Sequence, residues 1–119
     1  MGFTRILILL VAALLLPATI ASAEEITFKL NNEHDKDIQI EFYSQTRNHA
    51  WPGGNKAYNL EASDSNSYKL SCNSGEKICY GAWVKGNSST YWGVGLNGKY
   101  SCDACCQVCG DGDLEKTLH

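Results

Sequence analysis

The stretch SYKLSCNSGEKICYGAWV, residues 67–84, decides the fold, because two alternating apolar runs flank a polar turn. A period of two residues is typical of a half-buried β-strand and not of a helix. The segment NSGEK, residues 73–77, predicts the turn between two strands. One face of the first strand carries Tyr68, Leu70 and Cys72, and one face of the second carries Ile78, Tyr80, Ala82 and Val84, with Cys79 and Trp83 opposite.

Two further alternating runs precede this stretch and predict two more strands. The polar segment NNEHDKD, residues 31–37, lies between them and is rich in turn-forming residues. We therefore expect the two strands to pair with each other as a hairpin. Their apolar faces consist of Ile26, Phe28 and Leu30 in the first and Ile38, Ile40 and Phe42 in the second.

A last alternating run follows the stretch, and it leads into Asn97-Gly98, the strongest two-residue hairpin turn in the chain. One face of this run carries Thr90, Trp92, Val94 and Leu96. Six to seven short strands at regular turn spacing predict an all-β domain, a small antiparallel β-sandwich or open barrel.

The six cysteines, at positions 72, 79, 102, 105, 106 and 109, predict a disulfide framework. The last four have the spacing i, i+3, i+4 and i+7, which would align them on one side of a helix. Ser101 is a suitable N-cap and Gly110 a suitable residue after a helix end. We expect one short Cys-rich helix or loop here. Cys72 and Cys79 would either close their own hairpin or each reach one cysteine of this group.

Two alternatives for the cysteine-rich segment remain open. Cys102, Cys105, Cys106 and Cys109 could supply thiolates to zinc or copper, which bind soft ligands. On a helix, however, the first and last would be about 10.5 Å apart, which is too far for one zinc ion. The two C-x-x-C pairs could instead be redox-active, although no βαβ pattern accompanies them.

The chain divides into three parts by composition. Residues 1–23 have a positive Arg5, an apolar run and an A-x-A site at Ala21–Ala23, which predicts a cleaved secretory signal peptide. Residues 24–110 form the single disulfide-stabilised β domain, and residues 111–119 are expected to be a loosely held polar tail. The protein is therefore expected to be secreted or periplasmic and to meet a membrane only during export.

Charge and motifs favour a binding function over catalysis. Removal of Arg5 with the signal changes the formal net charge from −3 to −4, and the remaining basic residues are scattered, which argues against nucleic-acid binding. None of the histidines, His34, His49 and His119, belongs to a nucleophile motif, and no cofactor motif is present. We therefore expect a non-enzymatic domain that presents aromatic residues to an extracytoplasmic protein, glycan or lipid. The candidate contact residues are Trp51, Trp83, Tyr91 and Trp92.

Overall fold

The structure is a computed structural model that describes residues 23–119. The predicted signal peptide lies outside the described residues, apart from Ala23 at the start of the first strand. The predicted all-β fold is confirmed, and residues 23–119 contain nine strands in two sheets. Within residues 23–119, no helix is long and apolar enough to cross a membrane. The strands are β1 (Ala23–Asn32), β2 (Ile38–Ser44), β3 (Ala50–Trp51), β4 (Tyr58–Leu60), β5 (Ser65–Asn73), β6 (Lys77–Val84), β7 (Asn87–Gly93), β8 (Cys106–Val108) and β9 (Leu114–Leu118).

The two sheets form a sandwich. The first sheet has the order β5-β1-β9, and the second has the order β3-β2-β6-β7. Two short strands extend the second sheet, since β4 pairs with β2 and β8 pairs with β6. All strand pairs are antiparallel except β1 with β9, which is parallel.

The hairpin expected between β1 and β2 does not form, because these strands belong to different sheets. Their apolar faces meet across the core, where the ring centroids of Phe28 and Phe42 are 4.8 Å apart. The connection is organised by Asn32, whose side chain is 1 % exposed and donates hydrogen bonds to the carbonyls of Lys36, Leu60 and Glu61. Alternation indicates which face of a strand is buried, and it does not determine which strand is its neighbour.

The core lies between the inner faces of the sheets, as the alternating patterns predict. In β5, Tyr68, Leu70 and Cys72 are buried and the intervening residues are exposed. The central strand β6 differs, because residues on both of its faces are buried. Its inner face joins the core, so its outer face must be covered by another part of the chain. The fully buried aliphatic side chains of the core include Ile26, Leu30, Ile38, Ile40, Leu60, Leu70, Ile78 and Leu118.

Residues 101–110, expected to form a short Cys-rich helix or loop, form a loop that includes one short strand. Asp103–Cys105 is a single 3-10 turn, and Cys106–Val108 is the strand β8. All six cysteines form disulfides: Cys72 with Cys109, Cys79 with Cys106, and Cys102 with Cys105. The predicted disulfide framework is therefore confirmed, and Cys72 and Cys79 each reach one cysteine of the C-terminal group. Because Cys72 lies in the first sheet and Cys79 in the second, this segment is bonded to both sheets.

The interpretation of residues 111–119 as a loosely held polar tail is wrong. Leu114–Leu118 forms β9 alongside β1, with Phe28 opposite Leu114 and Asn32 opposite Leu118. The Leu118 side chain is fully buried in the core. This segment forms a strand with the same period of two as the others, since Leu114 and Leu118 face inward. Lys116 occupies the inward position between them and obscures the pattern.

Candidate binding site

The outer face of the second sheet carries the candidate site. Directly opposed residues of neighbouring strands share a face, so the register forms two rows across the sheet. One row runs from Gln39 through Trp83 to Tyr91. The next runs from Glu41 through Gly81 to Gly93. Only Glu41 has a side chain in this second row, which leaves a trough along the sheet.

Residues 94–100, here called the crossing loop, occupy this trough. A Cβ atom at Gly81 would lie 2.1 Å from the carbonyl oxygen of Gly95, so only glycine permits the loop to approach this closely. The Val94 N–H donates to the carbonyl of Tyr80 at 3.0 Å. The loop closes on itself where the Tyr100 N–H donates to the carbonyl of Val94 at 3.0 Å.

The Asn97-Gly98 turn forms within the crossing loop, but the predicted hairpin does not. Both residues have the left-handed conformation that the dipeptide favours, with φ of 58° and 64°. The Lys99 N–H donates to the carbonyl of Leu96 at 3.3 Å, as expected for a tight turn. No strand follows, because residues 99–102 continue over the sheet toward the Cys102–Cys105 disulfide. Local turn chemistry was therefore predicted correctly, and the strand pairing was not.

Tyr43 fastens the crossing loop to the sheet. Its Oη accepts a hydrogen bond from the Asn97 N–H at 2.8 Å and lies 3.3 Å from Oε1 of Glu41, to which its hydroxyl donates. Burial and the neighbouring Glu41 carboxylate both raise the pKa of Tyr43. The phenol therefore stays protonated and remains a donor to Glu41.

Glu41 is a buried carboxyl group, with 9 % of its residue surface exposed. Burial raises its pKa, and the hydrogen bond from Tyr43 opposes that shift. Within residues 23–119, no cation lies within ion-pair distance of this carboxylate. A buried carboxylate is normally paired or fully hydrogen-bonded, so Glu41 retains unused acceptor capacity.

An exposed aromatic pair borders the crossing loop. The rings of Tyr91 and Tyr100 are stacked, with centroids 4.1 Å apart and an interplanar angle of 7°. They are 39 % and 38 % exposed, respectively. Lys99 places its ammonium group 5.6 Å from the centroid of the Tyr100 ring. Gly95 lies beneath the pair, where a Cβ would be 2.7 Å from Tyr100.

Two adjoining clefts lie on the same face and share Glu41, Asn55 and Asn97. Their volumes are near 570 and 450 Å³, within the size range of small-molecule sites. We refer to them together as the Glu41 groove. Its walls are residues 52–57 on one side and the crossing loop on the other. Its lining residues carry hydrogen-bonding groups of several kinds: four amides, one hydroxyl, one imidazole, one phenol, one indole, one ammonium and one carboxyl group.

The four predicted contact residues differ from one another in exposure and in the face of the sheet on which they lie. Tyr91 is exposed on the outer face. Trp83 lies on the same face but is only 6 % exposed, and Trp51 is 9 % exposed and packs edge-on against His49. Trp92 is half-buried on the inner face, in an edge contact with His34. No tryptophan among the described residues is therefore prominently exposed.

Sequence analysis missed several residues of this face, above all Tyr100, Glu41 and Asn97. Glu41 and Tyr43 alternate with the buried residues of β2, so the pattern indicated a solvent-facing position. The available signal was the pair of glycines at 81 and 93 in neighbouring strands, which indicates close approach of another backbone. Without the pairing of β6 with β7, that signal could not be located on one face.

The four C-terminal cysteines do not form a thiolate set in this structure. Their sulfurs belong to three different disulfides, and a disulfide sulfur is not the thiolate ligand that zinc or copper requires. Within residues 23–119, no group of three or more His, Cys, Asp or Glu side chains is arranged to hold a metal ion.

Comparisons of this chain with protein-family models, with curated proteins and with solved structures gave no match. The site is therefore characterised by its own chemistry.

Proposed function

We propose that this chain is a small, exported, non-enzymatic binding domain that uses the outer face of its second sheet. The observation that carries this proposal is the Tyr91–Tyr100 pair, two large rings that stay exposed and parallel in a domain of this size. Tyrosine supplies broad amphipathic contact area with few rotatable bonds. Exposed aromatic side chains of this kind are enriched where proteins bind partners.

The rigidity of the scaffold supports the proposal. The crossing loop that carries Tyr100 is fastened by Tyr43 at its centre, and two residues after Tyr100 the chain enters the Cys102–Cys105 disulfide. Ordering a loop upon binding costs free energy, so a surface that is already ordered binds more tightly. Three disulfides also favour an oxidising compartment, which supports a secreted or periplasmic location.

The location is tested by the intact mass of protein isolated from its natural host. Three disulfides lower the mass of the reduced chain by about six daltons, because each bond removes two hydrogens. We expect that mass for a chain beginning at residue 24, with no alkylation before reduction. Alkylatable thiols in the isolated protein would contradict the proposal and would favour the thiolate alternative.

The binding surface is tested with the double variant Y91A/Y100A. The probes are a panel of neutral oligosaccharides, phosphatidylcholine/phosphatidylglycerol vesicles, and the host's own extracytoplasmic proteins. We expect any interaction of the wild type to weaken at least about tenfold, equivalent to 1.4 kcal/mol. The control is S67A/K69A, which changes two exposed residues of β5 in the other sheet. If Y91A/Y100A retains every interaction, the proposed surface is wrong.

A further inference from the structure

We propose that the Glu41 groove binds a neutral carbohydrate. This inference rests on the proposed binding function and names the ligand class for a second part of the same face. The groove lies beside the tyrosine pair, since Asn97 and Leu96 line both it and the adjacent cleft against Tyr100. The two parts are nevertheless separate enough to be altered independently.

The first argument is the unused hydrogen-bonding capacity of Glu41. Its Oε1 accepts one bond, from Tyr43 at 3.3 Å, whereas a carboxylate accepts up to about four. The residue is 9 % exposed, and that small exposed part lines both clefts of the groove. A ligand that donates hydrogen bonds would take these free acceptor positions in place of solvent, since no oxygen of Glu41 is both buried and unpaired.

The second argument is the number of amide side chains among the residues that line the groove. Four residues with amide side chains line the groove together with Glu41, namely Gln39, Asn48, Asn55 and Asn97. Each amide offers both a donor and an acceptor. A sugar hydroxyl also donates and accepts, so a polyhydroxylated ligand can pair with every one of these groups.

The charges at the groove exclude other ligand classes. An anionic ligand would meet the Glu41 carboxylate. A cationic ligand would meet Lys56, which lines the same groove, and would find one carboxylate where cation sites usually present several. An apolar ligand would strip water from the amides without replacing their hydrogen bonds.

The third argument is that one partly covered aromatic ring lines each cleft of the groove, with Trp83 only 6 % exposed. Tyr43 lines one cleft and Trp83 the other. The accessible part of each ring offers an apolar contact to the C–H groups of a sugar ring. At the rim, Gly53 and Gly54 have no side chains to obstruct approach to the backbone.

The test is titration of the isotopically labelled domain, with its disulfides intact, followed by amide and indole NMR shifts. The probes are neutral oligosaccharides of glucose, galactose, mannose and N-acetylglucosamine, each up to about 10 mM, enough to detect millimolar binding. We expect at least one to shift the signals of Asn48, Asn55 and Asn97 and the indole of Trp83. Spermidine, a polyamine, tests the cationic alternative.

Two variants assign the effect to the groove. N55G removes one amide and suits the left-handed backbone at this position, where φ is 57°, so the fold should persist. We expect at least tenfold weaker binding. N66A removes an exposed amide from β5 in the other sheet and should leave binding unchanged.

Three results would overturn the inference. Either no oligosaccharide shifts the NMR signals of the groove residues, or spermidine alone shifts them, or N55G binds the oligosaccharide as tightly as the wild type does. Shifts confined to Tyr91 and Tyr100 would also overturn it while supporting the proposed function. Conversely, sugar binding that persists in Y91A/Y100A would support the groove as a carbohydrate site. It would contradict the proposed binding role of Tyr91 and Tyr100.

Discussion

The Arg47 guanidinium, in the segment between β2 and β3, binds the buried carboxylate of Glu76 in the turn between β5 and β6. Nε and Nη2 of Arg47 lie 2.5 and 3.1 Å from the two carboxylate oxygens. Ser44 also donates its hydroxyl to Glu76 at 2.5 Å, and the Asn73 N–H donates at 2.9 Å. The Glu76 side chain is 1 % exposed. The contact therefore fixes the turn at which the chain passes from the first sheet to the second.

We expect E76Q to destabilise the domain by about 2–3 kcal/mol, because it weakens charge-assisted hydrogen bonds and leaves donors incompletely satisfied. Burial alone would raise the pKa of Glu76, but the bonds from Arg47, Ser44 and Asn73 outweigh it and lower the pKa to about 2 from 4.5. A lowered pKa stabilises the folded state above the unfolded value, and this stability is lost as pH falls toward 2. Urea unfolding at pH 7 and pH 3 should therefore show a smaller penalty for E76Q at pH 3. An equal penalty at both values would contradict this account.

Glu41 is expected to show the opposite pH dependence. Its pKa is raised by burial, with the Tyr43 bond opposing, so its stabilising contribution is complete below the unfolded pKa and is lost as pH rises through the folded one. E41Q, which cannot ionise, should be at least as stable as the wild type at pH 7. Between pH 7 and pH 3 its free energy of unfolding should increase less than that of the wild type. The same urea series measures this effect, with E115Q, a change at an exposed carboxylate of β9, as the control. A large loss of stability in E41Q at pH 7 would show that the carboxylate is structurally required.

The disulfides should contribute unequally to stability. In the chain-entropy model, the stabilisation grows with the length of the closed loop. Cys72–Cys109 spans 37 positions and Cys102–Cys105 spans 3. We expect C72S/C109S to cost about 4 kcal/mol and C102S/C105S about 2 kcal/mol. Denaturant midpoints of the two double variants check this order, which the reverse ranking would refute.

Gly81 should be essential to the crossing loop. Its backbone needs no left-handed conformation, so G81A acts through the clash with the Gly95 carbonyl at 2.1 Å. We expect a loss of about 3 kcal/mol and a changed near-ultraviolet circular dichroism signal from the Tyr91–Tyr100 pair. The control is G75A, where φ is 83° and no atom lies within 4 Å. It should cost about 1–2 kcal/mol through backbone strain alone, without altering the tyrosine signal.

The terminal strand should behave as part of the core. L118A removes a fully buried side chain and should destabilise the domain by about 2–5 kcal/mol. E115A, at an exposed position of the same strand, should change stability by less than about 0.5 kcal/mol. Thermal or urea unfolding distinguishes them, and a neutral L118A would restore the view of a loosely held tail.

Alternation along the sequence was sufficient to predict the inward faces of β1, β2, β5 and β6, because burial of one face imposes a period of two on any half-buried strand. The even number of cysteines likewise predicted a disulfide framework. The Lys85–Gly86 turn joins β6 to β7 in a hairpin between strands that are neighbours in the sequence. These features are local, so residues close in sequence carry them.

Only the tertiary structure decided which strands share a sheet, which cysteines pair, and what covers β6. Phe28 and Phe42 would be buried equally well in a hairpin or across a sandwich, so their pattern does not distinguish the two. Cys106 forms its bond with Cys79 because β8 lies directly beside β6, a contact between residues 27 positions apart. Glu41 and Tyr43 become a candidate site only when the crossing loop is laid over them. Such relationships depend on packing between distant segments, and the free energy of that packing is not encoded in any short stretch of sequence.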